Sequence, residues 1–406
     1  MIRTGLLKKS NMLEIIKTVK NSGPITKPDI AKQTGLASAT VHNLVNELLN
    51  KNIVIEEGNA DSSGGRKALL YRFNSRIYYI VGVDIGVKSI TAIIFDLDLN
   101  VIEKIQKKYE LADYGVEEGI SFTVGLLKEL LKKVKDNKEK VVGIGISVPG
   151  PVDFQKGIVL KLTNVIKWKN IPLKEIIENE MGIPTIIDND SNSSVLSLKW
   201  IEAARGMKNV VYLSTTEGIG TGLLINGSVY RGDHHIAGEI GHLSVDLEGD
   251  KCNCGNTGCI ELMSSDLGII GLARKVLRDE NDSMIKELCG NKLDNLNMEI
   301  IVQAAKKRDA AARELLLCAA KYIGICISNI IRIYDPNEII IDSTWLKDFN
   351  DIFNSIKDYV YESMEFINRD DVKINLNPIK DIFVVGAATL VLEHQFKSYE
   401  NNKLLS

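Results

Sequence analysis

Residue types able to hold a metal crowd into one stretch of this 406-residue chain: His242, then the run CNCGNTGC carrying Cys252, Cys254 and Cys259. One imidazole and three thiolates make the closed tetrahedral set of a structural zinc ion. Gly255 and Gly258 permit the tight loop required when one and four residues separate the cysteines. A solitary buried cysteine behaves as a small hydrophobe. Three within eight residues of a polar, glycine-rich loop do not fit that description. The expectation is one structural zinc per chain, with His242, Cys252, Cys254 and Cys259 as ligands. The other cysteines, Cys289, Cys318 and Cys326, fall in helical patterns as core residues.

A second group of polar residues gathers near the first. Glu239 precedes His242 by three residues and Glu261 follows Cys259 by two, so a closed metal loop would bring these carboxylates together. Asp188, Asn189, Asp190 and Asn192 follow an apolar run, at the strand end where α/β proteins place ligand-binding groups. Carboxylates and amides share hydrogen bonds readily with a polyhydroxylated ligand. Any one acid taken singly reads as a solvated face. Tied to a zinc loop, the set reads as a site.

The elements that must position these groups alternate in an α/β manner. Residues 80–86, 90–96 and 101–109 read as strands, 116–135 as a helix and 141–146 as a buried strand. A second unit begins at Thr185 and continues through strands at 210–214 and 222–225, with long helices between about 264 and 334. Residues 338–342 and 382–386 read as further strands. Duplicated α/β halves, with Asp84-Ile85-Gly86 after the first strand, suggest a two-lobed, nucleotide-kinase-like body with a cleft.

Ahead of it stands a small head. Met12, Ile15, Ile16 and Val19 mark a helix that stops at Asn21-Ser22-Gly23-Pro24. Thr26 reads as the cap of a short helix ending near Gly35, and Ser38 as the cap of a third with Val41, Leu44, Val45, Leu48 and Leu49 on one face. Short strands at 53–55 and 68–73 flank a glycine-rich hairpin, completing a winged helix-turn-helix. Ser38, Thr40, His42, Asn43 and Asn46 would meet bases or phosphates in the major groove, with Arg66 and Lys67 reaching DNA from the wing.

Charge agrees with that division. Residues 1–75 hold 11 Lys+Arg against 6 Asp+Glu, a net of +5, within a whole-chain net of -3. The remainder is therefore at -8, and only the head suits a polyanion. No apolar run is expected to reach the ~18 residues of a spanning helix. The N-terminus lacks an apolar signal region, so a cytoplasmic chain without a membrane partner is expected.

These motifs resemble the ROK family of sugar-responsive repressors and sugar kinases. The resemblance rests on Ala237-Gly238-Glu239-Ile240-Gly241-His242 with CNCGNTGCIE, and on Asp84-Ile85-Gly86, residues 147–153, Asn189-Asp190-Ser191-Asn192 and Gly386-Ala387-Ala388. It covers nearly the whole chain. It implies an actin-like, sugar-kinase-like ATPase-type fold behind the winged helix-turn-helix. It implies a sugar site lined by Asn189, Asp190, Glu239, His242 and Glu261, with Gly150 and Asn164 nearby. In the family's kinases the residue matching Asp190 is the base that activates the sugar hydroxyl. The expected domains are the head over 1–75, a first lobe over 76–188 joined by a C-terminal helix at 387–406, and a second lobe over 189–386 holding the zinc loop.

The departures bear on activity. The family's kinases usually carry Asp-x-Gly-Gly-Thr at the first phosphate loop, where Val87 and Lys88 stand here. Their second loop is usually Gly-Thr-Gly-x-Gly, whereas this chain has Thr216-Glu217-Gly218-Ile219-Gly220, with a carboxylate where polyphosphate would lie. Asp342-Ser343-Thr344 replaces a Gly-Gly pair near the adenosine position. The expectation is therefore a non-enzyme that binds no ATP: a repressor whose operator affinity follows a monosaccharide such as xylose or glucose, acting as a homodimer or homotetramer. The competing readings are an ATP-dependent sugar kinase with an added DNA-binding head, and a zinc-stabilised protein adaptor.

Overall fold

The structure, a computed structural model, describes residues 2–60, 67–109, 111, 115–162, 165–201, 208–279, 283–365, 367–397 and 402–405. It divides into two units, Met1–Ser193 with Asp381–Ser406, and Ser194–Lys380.

The head opens the first unit. Helix α1 (Ile2–Ser22) buries Met12, Ile15, Ile16 and Val19. Strand β1 (Ile25–Thr26) leads into α2 (Lys27–Thr34), where Thr26 Oγ1 accepts from the Asp29 amide as the expected cap and Gly35 ends the helix at φ +69°. Helix α3 (Ser38–Asn50) buries Val41, Leu44, Val45 and Leu48. The expected cap at Ser38 is corrected. Ala37 occupies the cap position with ψ 140°, and Ser38 is already helical, so its hydroxyl has no capping role. Strands β2 (Val54–Asn59) and β3 (Leu69–Phe73) form the wing, and β1 joins β3 on its other side as a third strand. A two-residue strand carries no alternation to read, and the sequence reasoning missed it.

The first unit continues with a five-stranded sheet. Strands β4 (Tyr79–Ile85), β5 (Ser89–Asp96) and β6 (Val101–Lys108) form an antiparallel meander. After α4 (Val116–Lys132), strand β7 (Val141–Val148) pairs parallel to β4. Strands β8 (Val152–Asp153), β9 (Ile158–Leu162) and β10 (Val165–Ile171) make a small sheet of their own. Helix α5 (Leu173–Met181) returns the chain to β11 (Thr185–Asn189), parallel to β7, giving the order β11-β7-β4-β5-β6.

The run at 382–386 is not a strand, as its sequence suggested, but the start of a helix, Ile382–Lys397. Short apolar runs do not distinguish a buried strand from a buried helix. The strands beneath it, β4 and β7, are already paired on both sides and offer no edge. The helix lies directly on their backbones: a Cβ at Gly145 would stand 1.8 Å from the Ala387 carbonyl oxygen, and one at Gly82 2.2 Å from that of Val384. Nor does the helix run through 387–406. Residues 403–405 form a turn, tied back by the Asn402 side chain donating to the Gln395 carbonyl.

Within this unit the head is anchored to the sheet. The Lys20 ammonium donates to the Leu97 carbonyl at 2.8 Å and pairs with Asp98 in the β5–β6 turn. It also stands 5.3 Å from the Phe73 ring centre and 5.9 Å from that of Phe396 on the C-terminal helix. The two rings meet edge-on at 6.1 Å. One cation thus ties α1, the wing, the sheet and the last helix together.

The second unit has a mixed sheet under helices. Helix α6 (Asp190–Ile201) begins at the end of β11. The sheet runs β14-β13-β12-β15-β16, with β12 (Val210–Thr215), β13 (Ile219–Ile225), β14 (Ser228–Val229), β15 (Glu338–Ser343) and β16 (Lys373–Leu376). Helices α7 (Glu261–Ser264), α8 (Asp266–Asp279), α9 (Met284–Leu288), α10 (Met298–Lys306), α11 (Ala310–Tyr334) and α12 (Asn350–Glu362) complete it. Contrary to the expectation from apolar runs, α11 is long and apolar enough to cross a membrane by length and composition. Its most apolar window is 61% buried inside the molecule, and α11 packs on α7, α8, α10 and α12 as a core helix.

Candidate functional site

The metal-ligand residues come together as their spacing implied. One ligand atom each from His242, Cys252, Cys254 and Cys259 lie within 4.8 Å of one another. His242 Nδ1 stands 3.6 Å from Cys252 Sγ, and Cys254 Sγ 3.6 Å from Cys259 Sγ. A tetrahedral zinc with Zn–S of about 2.3 Å has S···S edges of about 3.8 Å, so the donor set fits such an ion. Bridges Ser244↔Cys259 and Lys251↔Thr257 hold the loop, and Lys275 of α8 pairs with its Asp250. Gly258 sits at φ +64°, where a Cβ would meet the Asp246 carbonyl oxygen at 1.7 Å. Burial and the neighbouring sulfurs push the Cys259 thiol up to about 12. Bringing these sulfurs together as thiolates therefore calls for a cation.

The other face of His242 meets an acid. Its Nε2 is 3.8 Å from Glu239 Oε2. Burial pushes the Glu239 carboxyl up, His242 pulls it down, and the nearby Glu261 adds to the rise. Glu261 is thus near enough to Glu239 for its charge to be felt there. Glu261 Oε2 accepts from the Ile219 amide at 2.9 Å, and a Cβ on Gly218 would come within 2.7 Å of it. The residue expected to meet sugar thus also holds the 216–220 loop, a link between segments 42 residues apart that sequence gave no sign of.

Close to that loop lies a network that sequence reasoning missed. The Tyr212 hydroxyl donates to Asp342 Oδ2 at 2.8 Å, and Asn377 Nδ2 to Asp342 Oδ1 at 3.1 Å. Thr344 Oγ1 donates to the Asp266 carboxylate, 3.0 Å from each oxygen, while the Asp266 amide bonds the Thr216 carbonyl. In the continuous apolar run of β12, which is buried at every position, Tyr212 reads as an ordinary core residue. Only its register opposite Ile340, two residues before Asp342, brings the hydroxyl to the acid.

In the first unit the strand ends carry the remaining groups. Asn189 Nδ2 donates to the Gly150 carbonyl at 3.1 Å, while its Oδ1 accepts from the amides of Ser191 and Asn192. Asn189 therefore caps the start of α6 and ties it to the 149–151 loop, where Gly150 adopts φ +114°. Asp190 Oδ1 accepts from the Ser191 amide. Asp188 is fully buried and accepts from the Asn189 amide. Asn164 lies outside the described residues. At the first loop, Gly86 bonds Ser89 in a tight hairpin, and Val87 packs partly into the core of this unit.

On the head, Ser38, His42 and Asn43 are exposed on α3, Thr40 and Asn46 are half-buried, and Lys67 is exposed at the wing. Arg66 lies outside the described residues. Asn46 is not free: its Oδ1 accepts from Lys27 Nζ at 2.7 Å, and its Nδ2 is 3.1 Å from His42 Nε2.

Comparison with known proteins agrees with this geometry. Residues 80–393 match the model of the ROK family, and residues 10–55 that of a winged helix-turn-helix DNA-binding domain. The xylose repressor of Caldicellulosiruptor bescii is 31% identical over 391 residues, covering 95% of this chain and 96% of its own. A glucokinase of Halalkalibacterium halodurans is 31% identical over 285 residues, 69% of this chain and 84% of its own. The crystal structure of a ROK family transcriptional regulator, a homolog of the Escherichia coli MLC protein, superposes with a TM-score of 0.82 at 24% identity, covering 98% of each chain.

Proposed function

The chain belongs to the ROK family and carries a winged helix-turn-helix ahead of the ROK body, and from that premise we propose that it is a transcriptional repressor whose grip on operator DNA is set by a monosaccharide. One observation carries the reading: its likeness to a xylose repressor runs through head and body alike, over 95% of the chain. The glucokinase likeness covers 69%. The partners are operator DNA, met by the exposed face of α3 and the wing, and a sugar, of which xylose is the first to test. Two heads in a dimer suit half-sites about one helical turn apart. The setting is the cytoplasm, where the DNA is.

The roles of the residues follow from their chemistry. Asp190, Glu239 and Glu261 accept hydrogen bonds from sugar hydroxyls. Asn189, its amide committed to the α6 cap and to Gly150, orients Asp190. Zinc, held by His242, Cys252, Cys254 and Cys259, would supply rigidity and a fixed imidazole tautomer, leaving Nε2 toward Glu239. Sugar and operator are then linked by a coupling free energy that is reciprocal between the two sites.

A kinase is disfavoured by the residues where a nucleotide would sit. Val87 places a β-branched side chain at the first loop, and Glu217, Asp266 and Asp342 put carboxylates around the ends of β12 and β15. Polyphosphate meets like charge there. Calorimetric titration with a monosaccharide panel and with ATP, alongside gel shifts on the DNA upstream of its own gene, tests the whole reading. Heat from one sugar, none from ATP, and a sugar-dependent change in the shift are expected. ATP-dependent phosphorylation of a sugar would instead establish the kinase. Asp190→Ala should abolish the sugar response and leave the DNA shift intact.

A further inference from the structure

The chain Lys27–Asn46–His42 on the head determines more than shape. Lys27 opens α2, and Asn46 and His42 are one turn apart on α3. A lysine ammonium has donors and no acceptor. The Asn46 atom 2.7 Å from Lys27 Nζ must therefore be the amide oxygen, which removes the usual ambiguity of an amide's orientation. The amide nitrogen then faces His42 Nε2 at 3.1 Å. That nitrogen only donates, so Nε2 must accept. In a neutral imidazole the proton is consequently on Nδ1, the form less favoured in water.

Lys27 is itself held in place. It stands 5.1 Å from the Tyr71 ring centre, on the strand paired with β1. Burial lowers its pKa and Glu56, opposite Tyr71 in the wing sheet, opposes that shift. The ammonium is thus fixed by the wing, the amide by the ammonium, and the imidazole by the amide.

We propose that this chain makes His42 an obligate hydrogen-bond donor through Nδ1, so that the recognition helix selects a base with an acceptor edge and rejects cytosine. This rests on the DNA-binding reading above. In the major groove, guanine presents N7 and O6, adenine N7 and thymine O4, whereas cytosine presents only the N4 donor. His42 is exposed on α3, off the face that buries Val41, Leu44, Val45 and Leu48, where such an edge would lie. Lys27 and Asn46 are positioning residues: they set the proton and leave the base to His42.

Two measurements on the full-length protein test it. Long-range 1H–15N correlation spectra of the ring-labelled protein, with the His42 signals identified by their loss in His42→Ala, report the tautomer directly. His42 is expected as Nδ1–H, reverting toward Nε2–H in Lys27→Met and Asn46→Leu, and held as Nδ1–H in Lys27→Arg, where a donor-only cation remains. In the second, a randomised duplex library is selected with the wild-type protein. The four base pairs are then compared at the position most sensitive to His42→Ala. Wild type and Lys27→Arg should discriminate against cytosine by about tenfold, near the low end for a well-made base contact. Lys27→Met and Asn46→Leu should lose most of that discrimination, and Lys27→Met should keep its affinity for the other bases. An Nε2–H ring in a protein that selects DNA would overturn the lock alone. Unchanged discrimination in both variants would overturn the role of Lys27 and Asn46. Failure to select any duplex would overturn the DNA-binding reading, and the base assignment with it, whatever the spectra show.

Discussion

Replacing Gly258 by alanine should weaken metal binding much more than replacing Gly255 does. Both glycines sit in the left-handed region, at φ +64° and +99°, so each substitution incurs backbone strain of about 1–3 kcal/mol. They differ in surroundings. The new methyl at 255 meets nothing within 4 Å, whereas at 258 it would lie 1.7 Å from the Asp246 carbonyl oxygen. That overlap is with backbone, so the 246 and 258 segments must part. The bonds from the Val245 amide to the Gly258 carbonyl and from the Gly258 amide to the Asp250 carbonyl are then at risk. Each is worth about 0.5–1.5 kcal/mol, so the total for Gly258→Ala is about 2–6 kcal/mol. Cys259 is the adjacent residue, and this cost falls on metal affinity. A decade corresponds to about 1.4 kcal/mol, so the loss should be roughly 30-fold to well over a thousandfold. Gly255→Ala, with the strain of about 1–3 kcal/mol alone, should lose about fivefold to a little over a hundredfold. Competition against a chromophoric chelator, with cobalt substitution to follow the thiolate–metal absorption, measures both. Equal losses in the two variants, or an unchanged affinity in Gly258→Ala, would refute the assignment of these glycines to a metal loop.

Other outcomes follow from the anchoring contacts. Lys20→Met keeps the apolar stem but removes a bond to the Leu97 carbonyl, the Asp98 pair and two ring contacts. With about 1–3 kcal/mol of head anchoring lost, the sugar-dependent change in gel shifts should shrink while DNA binding itself persists. A full sugar response would rule out this link as the coupling element. Tyr212→Phe leaves Asp342 short of one donor and should destabilise the second unit by about 1.5–3 kcal/mol, seen in urea unfolding. Gly145→Ala drives a methyl into the Ala387 carbonyl and should cost about 3 kcal/mol or more, read as early loss of the C-terminal helix in hydrogen exchange.

Much of the site was readable because its signals are local. The cysteine run and His242 lie 17 residues apart at most, and a zinc tetrahedron accepts few other arrangements of those types. Thr26 and Gly35 marked the ends of α2 because a capping hydroxyl and a left-handed stop depend on the residues themselves. The misreadings have an equally physical cause. Residues 382–386 read as a strand because apolar content says buried, not which backbone; the glycines at 82 and 145, which leave room for a helix there, are hundreds of residues away in sequence. Ser38 has the chemistry of a cap but stands one residue late.

The charge split, the His–Cys cluster and the alternation of strands and helices were determined by residue type, spacing and period, properties that exist before the chain folds. What only the tertiary structure decided are the assignments that depend on which atom faces which. Glu261 grips the 216–220 loop because Gly218 leaves room for it. Asn189 proves to be a helix cap, and the proton on His42 is placed by a lysine on another helix. Hydrogen bonds are directional and reach about 3 Å. Their partners are therefore chosen by packing between segments distant in sequence, and no local pattern encodes that choice.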